Sequence, residues 1–115
     1  DDYIVLSTID EERQSVIHFM DKSSFDLIHE LPIEPYAERI TYNEAQSLLG
    51  MVLEDDRIQL YNLIDDTIQT VVTLPEATYR YHISFSPDGN LLAVAFRESR
   101  HVTYQQLDIY DTQTL

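Results

Sequence analysis

The chain has no cysteine and no tryptophan, only two glycines and a single lysine in 115 residues. Without cysteine there is no disulfide framework, no thiolate metal site and no cysteine nucleophile. Gly50 and Gly89 lie 39 residues apart, so no glycine-rich phosphate loop exists. Lys22 sits in a turn-like Asp21-Lys22-Ser23-Ser24 stretch and is a poor candidate for Schiff-base or phosphate chemistry. Positive charge is also scarce, with seven basic residues against 21 acidic ones and a net charge of −14. That balance argues against nucleic acid or an anionic membrane surface as partner, because both are polyanions. No apolar run approaches the roughly 20 residues of a membrane-spanning helix. The chain opens on Asp1-Asp2, without an initiator methionine or the basic and apolar regions of a signal peptide. It is therefore expected to be processed or excised from something longer.

What is present is globular in composition, 43% apolar and 24% charged, enough for one domain with a modest core. The sequence also repeats. Residues 31–54 overlay residues 74–97 at an offset of 43 without a gap. Leu31-Pro32 meets Leu74-Pro75, Tyr36 meets Tyr79, Ile40 meets Ile83, and Leu48-Leu49 meets Leu91-Leu92. Six identities in 24 positions would be thin alone, but the hydrophobic phase also agrees, with Tyr42 on Phe85 and Gly50 on Ala93. A second element occurs three times, at spacings of 41 and 49: Ile17 to Asp21, Ile58 to Asn62 and Leu107 to Asp111. Each reads apolar, polar, apolar, large, then Asp or Asn. Such alternation is the period of a strand, and the terminal Asp or Asn suits a turn.

The pattern predicts strands at about 3–9, 15–21, 26–31, 38–43, 48–54, 57–63, 67–73, 80–86, 91–97 and 104–110, with all four prolines in linkers or turns. No window carries helical spacing. Short strands in groups of four, repeating every 41–49 residues, point to a β-propeller.

At this point the residues resemble a family. Phe85-Ser86-Pro87-Asp88-Gly89-Asn90-Leu91-Leu92-Ala93 resembles the start of a WD-repeat blade, where such a turn joins the innermost strand to the second. Ile109-Tyr110-Asp111 resembles the end of the third strand, with Tyr110, Tyr61 and Met20 at the family's Trp position and Asp111, Asn62 and Asp21 at its Asp. The Trp itself and the family's Gly-His dipeptide are missing, so its buried Asp–His–Ser–Trp network is not expected. The resemblance implies an all-β fold: a β-propeller segment of about two and a half four-stranded antiparallel blades, part of a larger propeller. The expected division is a partial blade at 1–33, a complete blade at 34–76 and a partial blade at 77–115. The complete blade should bury Ile40, Tyr42, Leu49, Met51, Leu60 and Tyr61.

No catalytic, cofactor or metal site is expected. His18 and His29 can face each other across a hairpin centred on Ser23–Ser24, but two ligands are too few for a metal centre. His82, near Ser84 and Ser86, lacks the strained nucleophile turn of a hydrolase triad. Asp55-Asp56 and Asp65-Asp66 read as hairpin turns rather than calcium loops. If the repeat is a propeller, the loops of one face gather Asp10, Glu11, Glu12, Glu34, Glu38, Glu54, Asp55, Asp56 and Glu76, with Arg13, Arg57, Arg80, Arg97 and Arg100 among them. Tyr and Arg are frequent interface anchors. The candidate partner-binding residues are therefore Tyr36, Tyr79, Arg80, Arg97, Arg100, Glu54, Asp55 and Asp56. The resemblance implies a non-catalytic protein–protein interaction scaffold, with partners of basic or mixed charge and the remaining propeller blades. The alternative is the propeller of a hydrolase, lactonase-like or peptidase-associated, with its active site outside this segment.

Overall fold

The computed structural model describes residues 3–74, 79–97 and 106–115. Ten strands succeed one another: β1 Tyr3–Ile9, β2 Ser15–Asp21, β3 Leu27–Ile33, β4 Ala37–Asn43, β5 Leu48–Leu53, β6 Arg57–Asn62, β7 Thr67–Thr73, β8 Tyr79–Phe85, β9 Leu91–Arg97 and β10 Gln106–Asp111. The protein is all-β, with no helix among the described residues. Each strand pairs only with its neighbours in sequence, antiparallel throughout. The result is three meanders: β1-β2-β3, β4-β5-β6-β7 and β8-β9-β10. All ten strands lie where the alternation places them, within a residue or two at their ends. One proline departs from expectation, since Pro32 lies inside β3 opposite Val16. It is tolerated because β3 is an edge strand, where a missing amide hydrogen costs no ladder bond.

The second and third sheets share one register. Tyr42 pairs with Leu49 as Phe85 pairs with Leu92, and Ile40 with Met51 as Ile83 with Val94. Leu49 then pairs with Tyr61 as Leu92 pairs with Tyr110. The first sheet follows the same scheme, with β1 its first strand among the described residues: Ile4 pairs with Met20, and Met20 with Leu27, as Tyr61 pairs with Ile68.

The sheets stack face against face, with the four-stranded sheet in the middle. On one side Leu49, Met51, Leu53 and Tyr61 pack on Ile17, Phe19, Leu31 and Ile33. On the other, Val52, Ile58, Leu60 and Leu74 pack on Ile83, Leu92, Val94 and Phe96. β5 is therefore buried along its whole length, which explains why Leu48 to Leu53 is continuously apolar where half-buried strands alternate. Gly50 sits where the Phe85 ring of the third sheet comes up against β5. A Cβ there would lie 3.1 Å from Thr41 Cγ2 and 3.4 Å from the Phe85 ring.

Of the six residues expected in the core of the middle sheet, Leu49, Met51, Leu60 and Tyr61 are buried, whereas Ile40 and Tyr42 are only half-buried. The outer faces of the stack remain apolar and open, with Leu6 and Leu27 on the first sheet and Leu91, Leu107 and Ile109 on the third.

The turns at one end are built around short acceptors. Asp21 Oδ1 takes the amides of Ser23 and Ser24. Asp88 Oδ1 takes the Asn90 amide at 3.0 Å and the Ser86 hydroxyl at 2.7 Å. The Ser24 and Ser23 amides hold the Asp21 carboxyl below its ordinary value, and the Asn90 amide, then the Ser86 hydroxyl, do so for Asp88. Depressed carboxyls stabilise the fold above their ordinary value of 3.8. That stability is lost as pH falls below it and through the folded-state values. Asp21→Asn and Asp88→Asn keep an acceptor oxygen at each turn. The double variant is expected to show a flatter loss of stability below about pH 4. Urea titrations at stepped pH measure this, and an unchanged acid slope would refute it.

Candidate functional site

The loops at the opposite end of the sheets come from residues 10–14, 34–36 and 54–56, and they interlock. Asp10 Oδ1 accepts the amides of Glu12 and Gln14, both at 2.9 Å, and so shapes the first loop. Arg13 takes a positive φ of 63° and its guanidinium lies 5.3 Å over the Tyr36 ring. The same guanidinium reaches Glu54 at 3.5 Å. Gln14 Nε2 donates to Glu34 Oε1 at 2.5 Å. The Glu54 amide donates to the Tyr36 carbonyl at 3.0 Å. Arg57 is held twice, through Nε to Asp55 Oδ2 at 2.8 Å and through an Nη to the Glu34 carbonyl at 3.3 Å. Below this end, the Ser15 hydroxyl accepts the Ala37 amide and ties the first sheet to the second.

A shallow open cleft of about 420 Å³ lies among Glu12, Arg13, Gln14, Glu34, Pro35 and Glu54. The surface ion pairs here stabilise little, about 0–1 kcal/mol each. Their effect is to position side chains. Acids remain crowded despite the two arginines: burial first, then the charges of Asp56 and Glu54, raises the Glu38 carboxyl above its ordinary value. This end can bind cations or basic groups, and it presents an aromatic ring already engaged with a guanidinium.

Four of the eight candidate residues, Tyr36, Glu54, Asp55 and Asp56, come together here. Arg97 closes β9 half-buried, and its Nε is buried without a hydrogen-bond partner among the described residues, so it is less available than a free surface arginine. Tyr79 and Arg80 open β8 rather than lying in the connection before it, and their side chains lie outside the described residues. Arg100 and Glu76 also lie outside them. Sequence reading passed over Gln14 and Pro35, because neither carries charge or repeats at the 43-residue offset.

His18 and His29 do not face each other. The hairpin register sets His18 opposite Glu30 and Phe19 opposite His29, with a bulge between Phe19 and Met20. The two rings therefore point to opposite faces of the first sheet. His18 lies between Thr8 at 3.0 Å and Glu30 at 3.6 Å on the open face. His29 turns inward and stacks on Tyr61, the planes 2° apart and the centroids 6.1 Å apart. Its Nε2 lies 2.9 Å from the Tyr61 hydroxyl, which donates to Asp66 Oδ1 at 2.8 Å. This His–Tyr–Asp chain crosses from the first sheet to the second. The only advance signal was that a buried Tyr61 hydroxyl needs a partner. No group of three or more potential metal ligands occurs among the described residues.

The chain matches no known family, and no curated protein matches it.

Proposed function

We propose that the three stacked sheets are a segment of a larger, divergent propeller of WD-repeat type, and that it serves as a non-catalytic scaffold for protein–protein interaction. The observation that carries this reading is the convergence of Tyr36, Arg13 and Arg57 with Glu34, Glu54 and Asp55 at one loop end, from three connections distant in sequence. Supporting the propeller itself are the shared register of successive sheets and their face-to-face stacking. The apolar outer faces suit contact with further blades.

With a net charge of −14, the partner is a protein presenting basic or mixed charge. Association weakens with salt as attraction is screened over roughly 8–10 Å. Tyr36 and Arg57 are the anchors, because one ring and one guanidinium are held in place before a partner arrives. The test is titration of a partner recovered by pull-down against a Tyr36→Ala, Arg57→Ala double variant. Loss of about 2 kcal/mol or more, roughly thirtyfold in affinity, is expected. If affinity is unchanged, while substitutions at the opposite turns around Asp21 and Asp65 abolish it, docking occurs at the other end and this reading fails.

A further inference from the structure

β7 ends the second sheet well inside the chain. Among the described residues it hydrogen-bonds to β6 alone. The chain runs on to β8, which packs on β4 and β5 and does not extend the sheet beyond β7. The far edge of β7 therefore presents a row of unpaired amides and carbonyls.

Exposed edges ordinarily carry a device against pairing, such as a proline or a charged side chain. β3, the corresponding outer strand of the first sheet, has both, in Pro32 and the exposed Glu30. β7 has neither. Six of its seven residues are β-branched, none is charged, and five are exposed. Ile68 alone is 46% exposed. That is the composition of a strand ready to pair. It stands out in a chain of net charge −14, where a charged edge would repel a second copy. The pairing with β6 shifts between Ile58 and Gln59, which makes Val71 an extra residue in β7. The regular stretch is therefore Thr67 to Thr70, while Val71 and Val72 pack on the core.

We infer that β7 pairs antiparallel with β7 of a second copy of this chain, about a twofold axis at Gln69, joining two four-stranded sheets into one of eight strands. A twofold pairing of identical antiparallel strands sets one residue opposite itself. With Gln69 at the axis, Ile68 faces Thr70 and Thr67 faces Val71. Asp66 and Asp65 of the adjoining turn then face Val72 and Thr73 of the second copy. No like charges stand directly opposite one another anywhere in residues 65–73, and such opposition is what destabilises paired strands. The same operation on β3 fails. Centred on Glu30 it opposes two carboxylates, and Pro32 offers no amide hydrogen. In the β7 pair main-chain hydrogen bonds supply the affinity and the β-branched rows on either side supply the fit. The contact uses none of the residues of the loop-end docking face and does not depend on that reading.

The test is sedimentation equilibrium of the whole chain, with amide exchange read at low and high protein concentration. A monomer–dimer equilibrium is expected, in which exchange across Thr67–Thr73 slows as concentration rises. Added salt is expected to strengthen it, because screening removes repulsion between two copies of net charge −14. That is the reverse of the salt effect on docking a basic partner. Gln69 is exposed, so Gln69→Lys and Gln69→Glu leave the fold intact. Each variant alone is expected to self-associate roughly two- to fivefold more weakly, because it sets like charges opposite each other, and an equimolar mixture of the two is expected to restore association. A chain that stays monomeric at high micromolar concentration overturns the inference. So does a dimer in which exchange slows in β1 or β10 and not in β7, or one that forms equally well from either variant alone and from the mixture. Exchange in β7 that is slow at every concentration overturns it too, because the edge would then be covered within one chain.

Discussion

Tyr61→Ala is expected to destabilise the fold by about 3–5 kcal/mol, the range for removing a large aromatic side chain from a packed core. Tyr61 is 1% exposed and lies at the boundary between the first and second sheets. Its ring packs near Phe19, with centroids 6.1 Å apart, and stacks on His29. The alanine would open a cavity that two paired sheets cannot readily close, since moving either strand breaks its ladder. Tyr61→Phe separates the ring from the hydroxyl. It removes the bonds to His29 and Asp66 and is expected to cost about 1–2 kcal/mol. Burial, then the bond to Asp66 and its charge, pushes the Tyr61 hydroxyl up to about 12. A proton held more tightly in the folded state stabilises fully below the ordinary value of 10. That contribution, about 2–3 kcal/mol, is lost as pH rises from 10 through 12. Wild type should therefore lose stability steeply over this interval, and Tyr61→Phe should lose less. Parallel slopes for the two proteins in urea titrations would show that Tyr61 does not control the alkaline limb.

Gly89→Ala is expected to cost about 3–4 kcal/mol, more than a surface turn substitution ordinarily does. Gly89 has φ of 75°, where an added side chain costs roughly 1–2 kcal/mol by itself. A Cβ there would also stand 2.4 Å from Asn43 Oδ1 and 2.5 Å from Gln46 Cγ. Asn43 is buried and cannot swing away freely. Its Nδ2 donates to the carbonyls of Ser86 and Pro87, both at 3.1 Å, and its Oδ1 accepts the Gln46 amide. Displacing it breaks the latch between the second sheet and the turn of the third, with each lost bond contributing about 1 kcal/mol. Asn43→Ala removes the nearer obstruction and the latch together, leaving only the flexible Gln46 side chain in the way. The double variant should therefore be less destabilised than the sum of the singles. Additive losses by thermal or urea unfolding would mean that the backbone conformation alone accounts for the effect.

The strands were legible because alternation survives wherever one sheet face is covered and the other is not. β2 is the clearest case, with Ser15, Ile17 and Phe19 buried and Val16, His18 and Met20 between them half-buried. The turn from Ser86 to Asn90 was legible because its residues act locally, Asp88 as a hydrogen-bond acceptor and Gly89 through its left-handed backbone. Local sequence does not encode what lies across a sheet face. Ile40 has the same pattern as Ile83, yet Ile83 is buried and Ile40 only half-buried, because exposure depends on what packs across the sheet face. The single-residue bulge between Phe19 and Met20 escaped for a related reason. A bulge leaves composition unchanged but reverses which face His29 takes, and with it the partner of Tyr61. Tyr36, Glu54, Asp55 and Asp56 stood out from charge and aromatics in the loops. Gln14 and Pro35 did not, since their place in the loop cluster comes only from the approach of the 10–14 and 34–36 loops.

The sequential pairing of all ten strands has a consequence for how the chain finds its structure. Every ladder joins elements adjacent in sequence, so each hairpin closes a short loop and the entropy of closure stays small. Folding rates follow the sequence distance between contacting residues, so this topology favours fast formation of each meander. Assembly of the whole is then a propagation problem, in which each meander gains stability only from the one before and the one after. Among the described residues the middle sheet has two such neighbours. We expect folding to nucleate at the β5–β6 hairpin and grow in both directions, because each step then buries apolar surface against a sheet already formed.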